Sequence, residues 1–140
     1  MSRDLAFYVV DIFIAADKIK RYTVDFDNAE HFLHSELEWD AVIRELEIIG
    51  EATKHLLKEN FIDQQYQSIV DFRNHIVHGY FGIDENIVWE VVTELLEAFI
   101  SELQDAATGA KMDITVAVSR AKEDYAFNLK TVAFLERLTI

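Results

Sequence analysis

The chain has no cysteine, no proline and only four glycines in 140 residues. Without cysteine there is no disulfide framework and no thiol chemistry, which suits a reducing cytosol. Without proline, and with so little glycine, almost nothing interrupts a helix, so the composition favours an all-α bundle. Long apolar runs are also missing. The longest are short and broken by charge, far below a membrane span. The first residues, Met1-Ser2-Arg3-Asp4, are not a basic region followed by an apolar run, so no signal peptide is expected. The length predicts one domain, large enough to bury a core without metal or disulfide staples. The expectation is a soluble, cytoplasmic protein.

Basic charge is scarce as well. The formal net charge is −13, which excludes broad electrostatic binding of nucleic acid. The deficit is uneven. Residues 1–58 carry seven basic and twelve acidic side chains, residues 59–110 one and ten, and residues 111–140 five and four. A polyanion would have to be held by a few placed groups, by the C-terminal segment or by a second subunit. A strongly acidic face would equally suit a basic protein partner.

Periodicity supplies the elements. Leu5, Tyr8, Val9, Ile12, Phe13, Ala16 and Ile19 predict a first helix from about Ser2 to Arg21, with Ser2 as its cap. Asp27 or Asn28 would cap a short helix through Phe32 and Leu33. Val42, Ile43, Leu46, Ile49, Gly50, Thr53, Leu56 and Leu57 form the inner stripe of a second long helix. Gly50 in mid-helix costs roughly 1 kcal/mol against alanine, and close approach of another helix is the usual reason to accept that. A third helix is expected from Ile62-Asp63 to Val77 or His78, ended by Gly79. Asp84 would cap a fourth, with Val88, Val91, Val92, Leu95, Leu96, Phe99 and Leu103 inside. Thr108-Gly109 breaks the pattern. Val118, Ala121, Tyr125, Asn128, Val132 and Leu135 then recur as a heptad-like seam, predicting a fifth helix able to pack on its own chain or on another.

The chemistry concentrates at the end of the third helix, in Arg73-Asn74-His75-Ile76-Val77-His78-Gly79-Tyr80. Arg73 is the only basic residue between Lys58 and Lys111. Its planar, permanently charged fork suits phosphate oxygens. His78 can move a proton near neutral pH, and its place in a last helical turn favours the imidazolium. Asn74 lies four residues before His78, on the same face, where its amide would orient the ring. Arg73 and His78 are five apart, roughly 140° around an ideal helix. They need not touch within one subunit, and a symmetric second copy would bring them together. The plainer readings are a histidine capping carbonyls before a glycine, an arginine paired to carboxylate, and a tyrosine that simply packs.

Arg73, His78 and Tyr80 match the motif arginine, four residues, histidine, one residue, tyrosine. With Ala41 to Ala52, which is similar to a second-helix signature, and with Phe81-Gly82-Ile83-Asp84 and Val88-Trp89 after the motif, the chain resembles the HEPN superfamily. Within it, the resemblance is to the HepT toxins of HepT–MntA toxin–antitoxin pairs. It covers roughly residues 1–105. Glu45 departs from that family, where asparagine is usual after the arginine. The resemblance implies a four- to five-helix bundle that forms a homodimer, or a higher assembly, with its site in the cleft between subunits. It implies a metal-independent ribonuclease without cofactor, acting on RNA. By position, His78 would activate the ribose 2′-hydroxyl or protonate the leaving oxygen, Arg73 would bind the scissile phosphate, and Asn74 would orient groups in the site. Tyr80 would be the residue adenylylated by an MntA-like nucleotidyltransferase antitoxin. Residues 1–105 would then form the HepT-like domain and 106–140 a helical extension packing on the bundle or on a partner subunit.

Other groups weigh less. Glu30, His31, His34 and Glu38 lie along one helical face at metal-ligand spacing, a pattern common on solvated helices. Glu51 and His55 form an i,i+4 surface pair, Glu47 and Glu51 are candidate acid partners, and His75 is a candidate second proton donor. Trp39 and Trp89 read as core or interface anchors. Lys111, Arg120, Lys122, Lys130 and Arg137 make the last segment non-acidic, either as RNA contacts or as a solvated face. Two other functions fit the same residues: a non-catalytic subunit that binds nucleotide or substrate for a nucleotidyltransferase, and a bundle that joins a complex through its acidic face.

Overall fold

The computed structural model describes residues 4–77 and 82–140. Among these residues every regular element is helical and no strand occurs. In chain order the helices are α1 (Leu5–Thr23), α2 (Ala29–His34), α3 (Glu36–Lys58), α4 (Gln67–Val77), α5 (Glu85–Glu90), α6 (Leu96–Gly109), α7 (Thr115–Asp124) and α8 (Leu129–Arg137). No helix of the described residues is long and apolar enough to cross a membrane.

Caps set the boundaries. Asp4 starts α1 by accepting from the Ala6 amide at 2.9 Å; Ser2 lies outside the described residues. Asn28 starts α2 by accepting from the His31 amide at 2.9 Å. Asp63 caps a single 3₁₀ turn (Gln64–Tyr66) that leads into α4, and Asp84 caps α5 by accepting from the Asn86 amide at 2.8 Å. Each carboxylate or amide oxygen satisfies an N–H that the first turn of the helix leaves unpaired.

α1 and α3 form the axis of the bundle, and α4 packs along α3. Val9, Ile12, Ile19, Val42, Ile49, Leu56, Val88, Phe99 and Leu103 are buried between them and α5–α6. Phe32 on α2 is fully buried, with ring centroids 5.0 Å from Trp39 and 5.9 Å from Trp89, so both tryptophans are core anchors. α1 is also covered on its other side. Ala6, Val10 and Ile14 meet Ala117, Ala121 and Leu135 in a second apolar cluster. Helix α1 is apolar nearly all round for this reason, which a one-stripe reading understates.

Three expectations need correction. The heptad-like segment is not one helix. It breaks into α7 and α8, because Asn128 is an N-cap, accepting from the Thr131 amide at 3.2 Å, rather than a polar member of a seam. Both pieces pack on α1 of their own chain. Leu95 is 53% exposed, because a π turn (Val91–Leu95) between α5 and α6 inserts a residue and shifts the inward face to Leu96. Finally, α6 runs through Gly109. The left-handed residue that ends it is Lys111, at φ 53°, and the Met112 amide bonds back to the Ala107 carbonyl at 3.0 Å.

Candidate active site

Arg73 reaches the surface because α4 lies almost against α3. The contact point is Gly50, where a Cβ would overlap the Arg73 Cβ and Cγ and come within 3.5 Å of its Cα. The glycine predicted to mark a close helix approach does so at the arginine itself. Ile76 and Val70 anchor α4 in the core, leaving Arg73 and Asn74 half-buried at the edge of the α3–α4 contact.

The guanidinium is held on two sides. Nη1 donates to Asn74 Oδ1 at 3.0 Å, and Nη2 lies 3.3 Å from Glu51 Oε2. Nε is buried and has no hydrogen-bond partner among the described residues. The other oxygen of Glu51 is 3.6 Å from His55 Nε2, and the His55 ring stacks on Tyr8 with centroids 4.4 Å apart and planes 9° from parallel. Glu51 thus links the arginine of α4 to an imidazole on α3 that rests on a phenol of α1.

Two grooves flank this point. One, of about 240 Å³, runs between α1 and α3 and is lined by Tyr8, Asp11, Arg44, Glu47, Glu51 and Arg73. Arg44 Nη1 lies 3.5 Å from Glu47 Oε2, so its charge is already met there. The other, of about 470 Å³, runs between the end of α3 and the start of α4 and is lined by Lys54, Lys58, Gln64, Gln67 and Asn74 over the buried Leu57 and Val70. A third cavity, of about 370 Å³, is apolar, with Ile49, Tyr66, Phe72 and Phe99 among its walls.

Of the residues singled out in the sequence, Arg73 and Asn74 come together directly. The Asn74 oxygen is used on the guanidinium. His78, Gly79 and Tyr80 lie outside the described residues. His75 is exposed on α4. Glu47 and Glu51 do line the arginine's groove. Among the described residues no three His, Asp or Glu side chains gather as a metal would require. His31 Nδ1 instead sits 3.5 Å from the Asn28 amide nitrogen, and Glu38 accepts from the Ser35 hydroxyl. Tyr8, Asp11 and Arg44 were not readable as site residues. Tyr8 sits on an apolar stripe, and only the α1–α3 crossing reveals its second role.

Glu45 lines neither groove. It is buried, with Lys18 Nζ at 4.0 Å, and that ammonium lies 4.5 Å from the Tyr125 ring centroid. Burial pushes its carboxyl above the ordinary range, partly opposed by the charges of Lys18, Arg44 and Arg21. On α4's far side, burial and a hydrogen bond to Glu102 push the Tyr66 phenol up to about 12.

The model of the "Ribonuclease HepT-like" family matches residues 12–106, about two thirds of the chain, from within α1 through most of α6 and including Arg44, Glu51, Arg73 and Asn74. The chain belongs to the ribonuclease HepT-like family. It is 37% identical over 96 residues to the Methanocaldococcus jannaschii protein named "Putative RNase MJ1380", covering 66% of this chain and 87% of that protein. It is 34% identical over 97 residues to "Probable ribonuclease HepT" of Thermococcus cleftensis, covering 67% and 87%. A match to "Putative RNase MJ0125" of M. jannaschii, 32% identical over 111 residues, spans 95% of that protein but 74% of this chain. No solved structure is significantly similar.

Proposed function

We propose that this HepT-like chain is a metal-independent ribonuclease toxin, cleaving RNA through Arg73 and His78 in a cleft between two subunits. The observation that carries the reading is the placement of Arg73. It is the one cation of a 52-residue acidic stretch, set at a groove by a glycine and clamped by Asn74 and Glu51. A phosphodiester oxygen can take Nη2 from Glu51, since phosphate accepts the same charge-assisted N–H bond as carboxylate. Asn74 keeps the fork aimed during that exchange. The ribose 2′-oxygen attacks the phosphorus and the bond to the 5′-oxygen breaks. His78 takes the proton from the 2′-hydroxyl or gives one to the leaving oxygen. An internal nucleophile explains selectivity for RNA and removes the need for a metal-bound water. Residues 1–105 form the catalytic unit and 106–140 an extension.

Regulation follows from Tyr80. Adenylylation by a cognate MntA-like nucleotidyltransferase antitoxin would bring bulk and negative charge into the cleft and oppose RNA phosphate. The test has two parts. RNA cleavage by the dimer should persist in EDTA and vanish in Arg73→Ala and His78→Ala. Co-expression with the nucleotidyltransferase should add AMP to Tyr80, read by intact mass and peptide mapping. Wild-type protein made without that partner, yet leaving RNA uncut, would overturn the proposal.

A further inference from the structure

We infer that Lys54 and Lys58 form a phosphate-binding track along which single-stranded RNA runs to or from Arg73. The inference rests on the ribonuclease reading above and adds the path of the substrate.

The chain carries 26 acidic against 13 basic side chains, so a groove without carboxylates stands out. The α3–α4 groove is such a place. Its polar lining is two ammonium groups and three amides. Neither lysine has an ion-pair partner among the described residues, whereas Lys18, Arg21, Arg44 and Arg73 all do. The amides are already oriented. Gln64 donates to the Leu57 carbonyl at 3.4 Å and Gln67 to Asp71 at 3.2 Å. Asn74 belongs to both places: it lines this groove, and its oxygen accepts from Arg73 at 3.0 Å. A strand whose phosphate sits on Arg73 therefore meets the lysines next.

Spacing and charge agree with that path. Lys54 and Lys58 are one helical turn apart, about 6 Å along α3, so each can meet a different phosphate. Arg73 also lines the groove on the opposite flank, but beyond it that groove is the unfavourable direction, because Asp11, Glu47 and Glu51 line it and Arg44 is spent on Glu47. The backbone is thus steered to one side of the scissile phosphate. The plain alternative is that the lysines are solvated and only complement the C-terminal dipole of α3.

The full-length protein separates the two. Binding of a short single-stranded 2′-O-methyl oligoribonucleotide, which lacks the attacking hydroxyl, is followed by fluorescence anisotropy over a range of salt. For Lys54→Gln/Lys58→Gln the affinity should fall about tenfold and the salt slope by about 1.4, two contacts at roughly 0.7 each. Lys54→Arg/Lys58→Arg should restore both. On cleavable RNA, KM should rise while kcat at saturation stays within about twofold, because the lysines act on binding away from the reacting bond. A glutamine pair that binds with wild-type affinity and slope, while the wild type binds and cuts RNA, overturns this inference alone. A wild type that neither binds nor cuts RNA overturns it together with the ribonuclease reading.

Discussion

The Arg73 side chain spends its donors unevenly: Nη1 goes to Asn74, Nη2 to Glu51, and Nε is buried without a partner among the described residues. Only a planar fork can hold such an arrangement, so Arg73→Lys keeps the charge and loses the geometry. We expect kcat for RNA to fall on the order of 100-fold, the scale of removing one transition-state donor, with melting temperature changed little. Single-turnover cleavage alongside thermal denaturation checks this. Glu45 offers a residue-scale test of stability. Its folded carboxyl lies above its unfolded value because of burial, so the native state binds the proton more tightly. Stability from this group is therefore present below the ordinary glutamate value and is lost as pH rises toward the folded value. The stability of wild type minus that of Glu45→Gln, from urea unfolding, should fall across that window as pH is raised. A difference that stays flat or rises would refute the assignment.

At the scale of elements, Gly50 and Lys111 make opposite demands. Alanine at position 50 gains about 1 kcal/mol of helix propensity. It also sets a Cβ into the Arg73 stem, and overpacking of that kind costs about 1–3 kcal/mol. The obstructing atoms are fixed to backbone rather than to a flexible tip, so the larger figure applies. Gly50→Ala should destabilise the fold by about 1–2 kcal/mol and reduce cleavage as α4 is pushed off α3, both measurable on one preparation. Lys111 is an L-residue in the left-handed region, which costs roughly 1–2 kcal/mol that glycine avoids. Lys111→Gly should therefore stabilise by about 0.5–1 kcal/mol after the entropy of glycine is charged, visible as a higher urea midpoint. The long helices were legible because an apolar period marked each, and because Asn28 and Asp84 offered capping oxygens where shorter ones begin. The π turn and the break at Asn128 were not. A one-residue register shift leaves the apolar count unchanged, and an asparagine reads equally as seam or cap until the Thr131 amide is seen to meet it. In the site, Arg73 and Asn74 were legible as adjacent polar residues at a helix end. The Glu51–His55 pair was legible from its i,i+4 spacing, but the stacking of His55 on Tyr8 was not, because it joins residues 47 positions apart through tertiary packing.

Across the whole molecule, α1 joins two bodies of packing. One face closes the core with α3, and the other is closed by α7 and α8 through Ala117, Ala121 and Leu135. Polar ties reinforce the second closure: Arg21 donates to Thr131 at 3.1 Å, and Lys18 sits over Tyr125. A chain ended after residue 113 would leave Ala6, Val10 and Ile14 wet. It should be cut by a nonspecific protease faster than the full chain and should bind a hydrophobic dye. Equal protease half-lives would show that α1 does not depend on its second cover. The same arrangement imposes an order in time. Helix α1 leaves the ribosome before α7 and α8, so its last cover is made roughly a hundred residues later, on the order of 5–20 s at ordinary elongation rates. For that interval each nascent chain carries a bare apolar strip beside an unfinished site. Its completion is tied to the synthesis of α7 and α8 rather than to the emergence of the residues that do the chemistry.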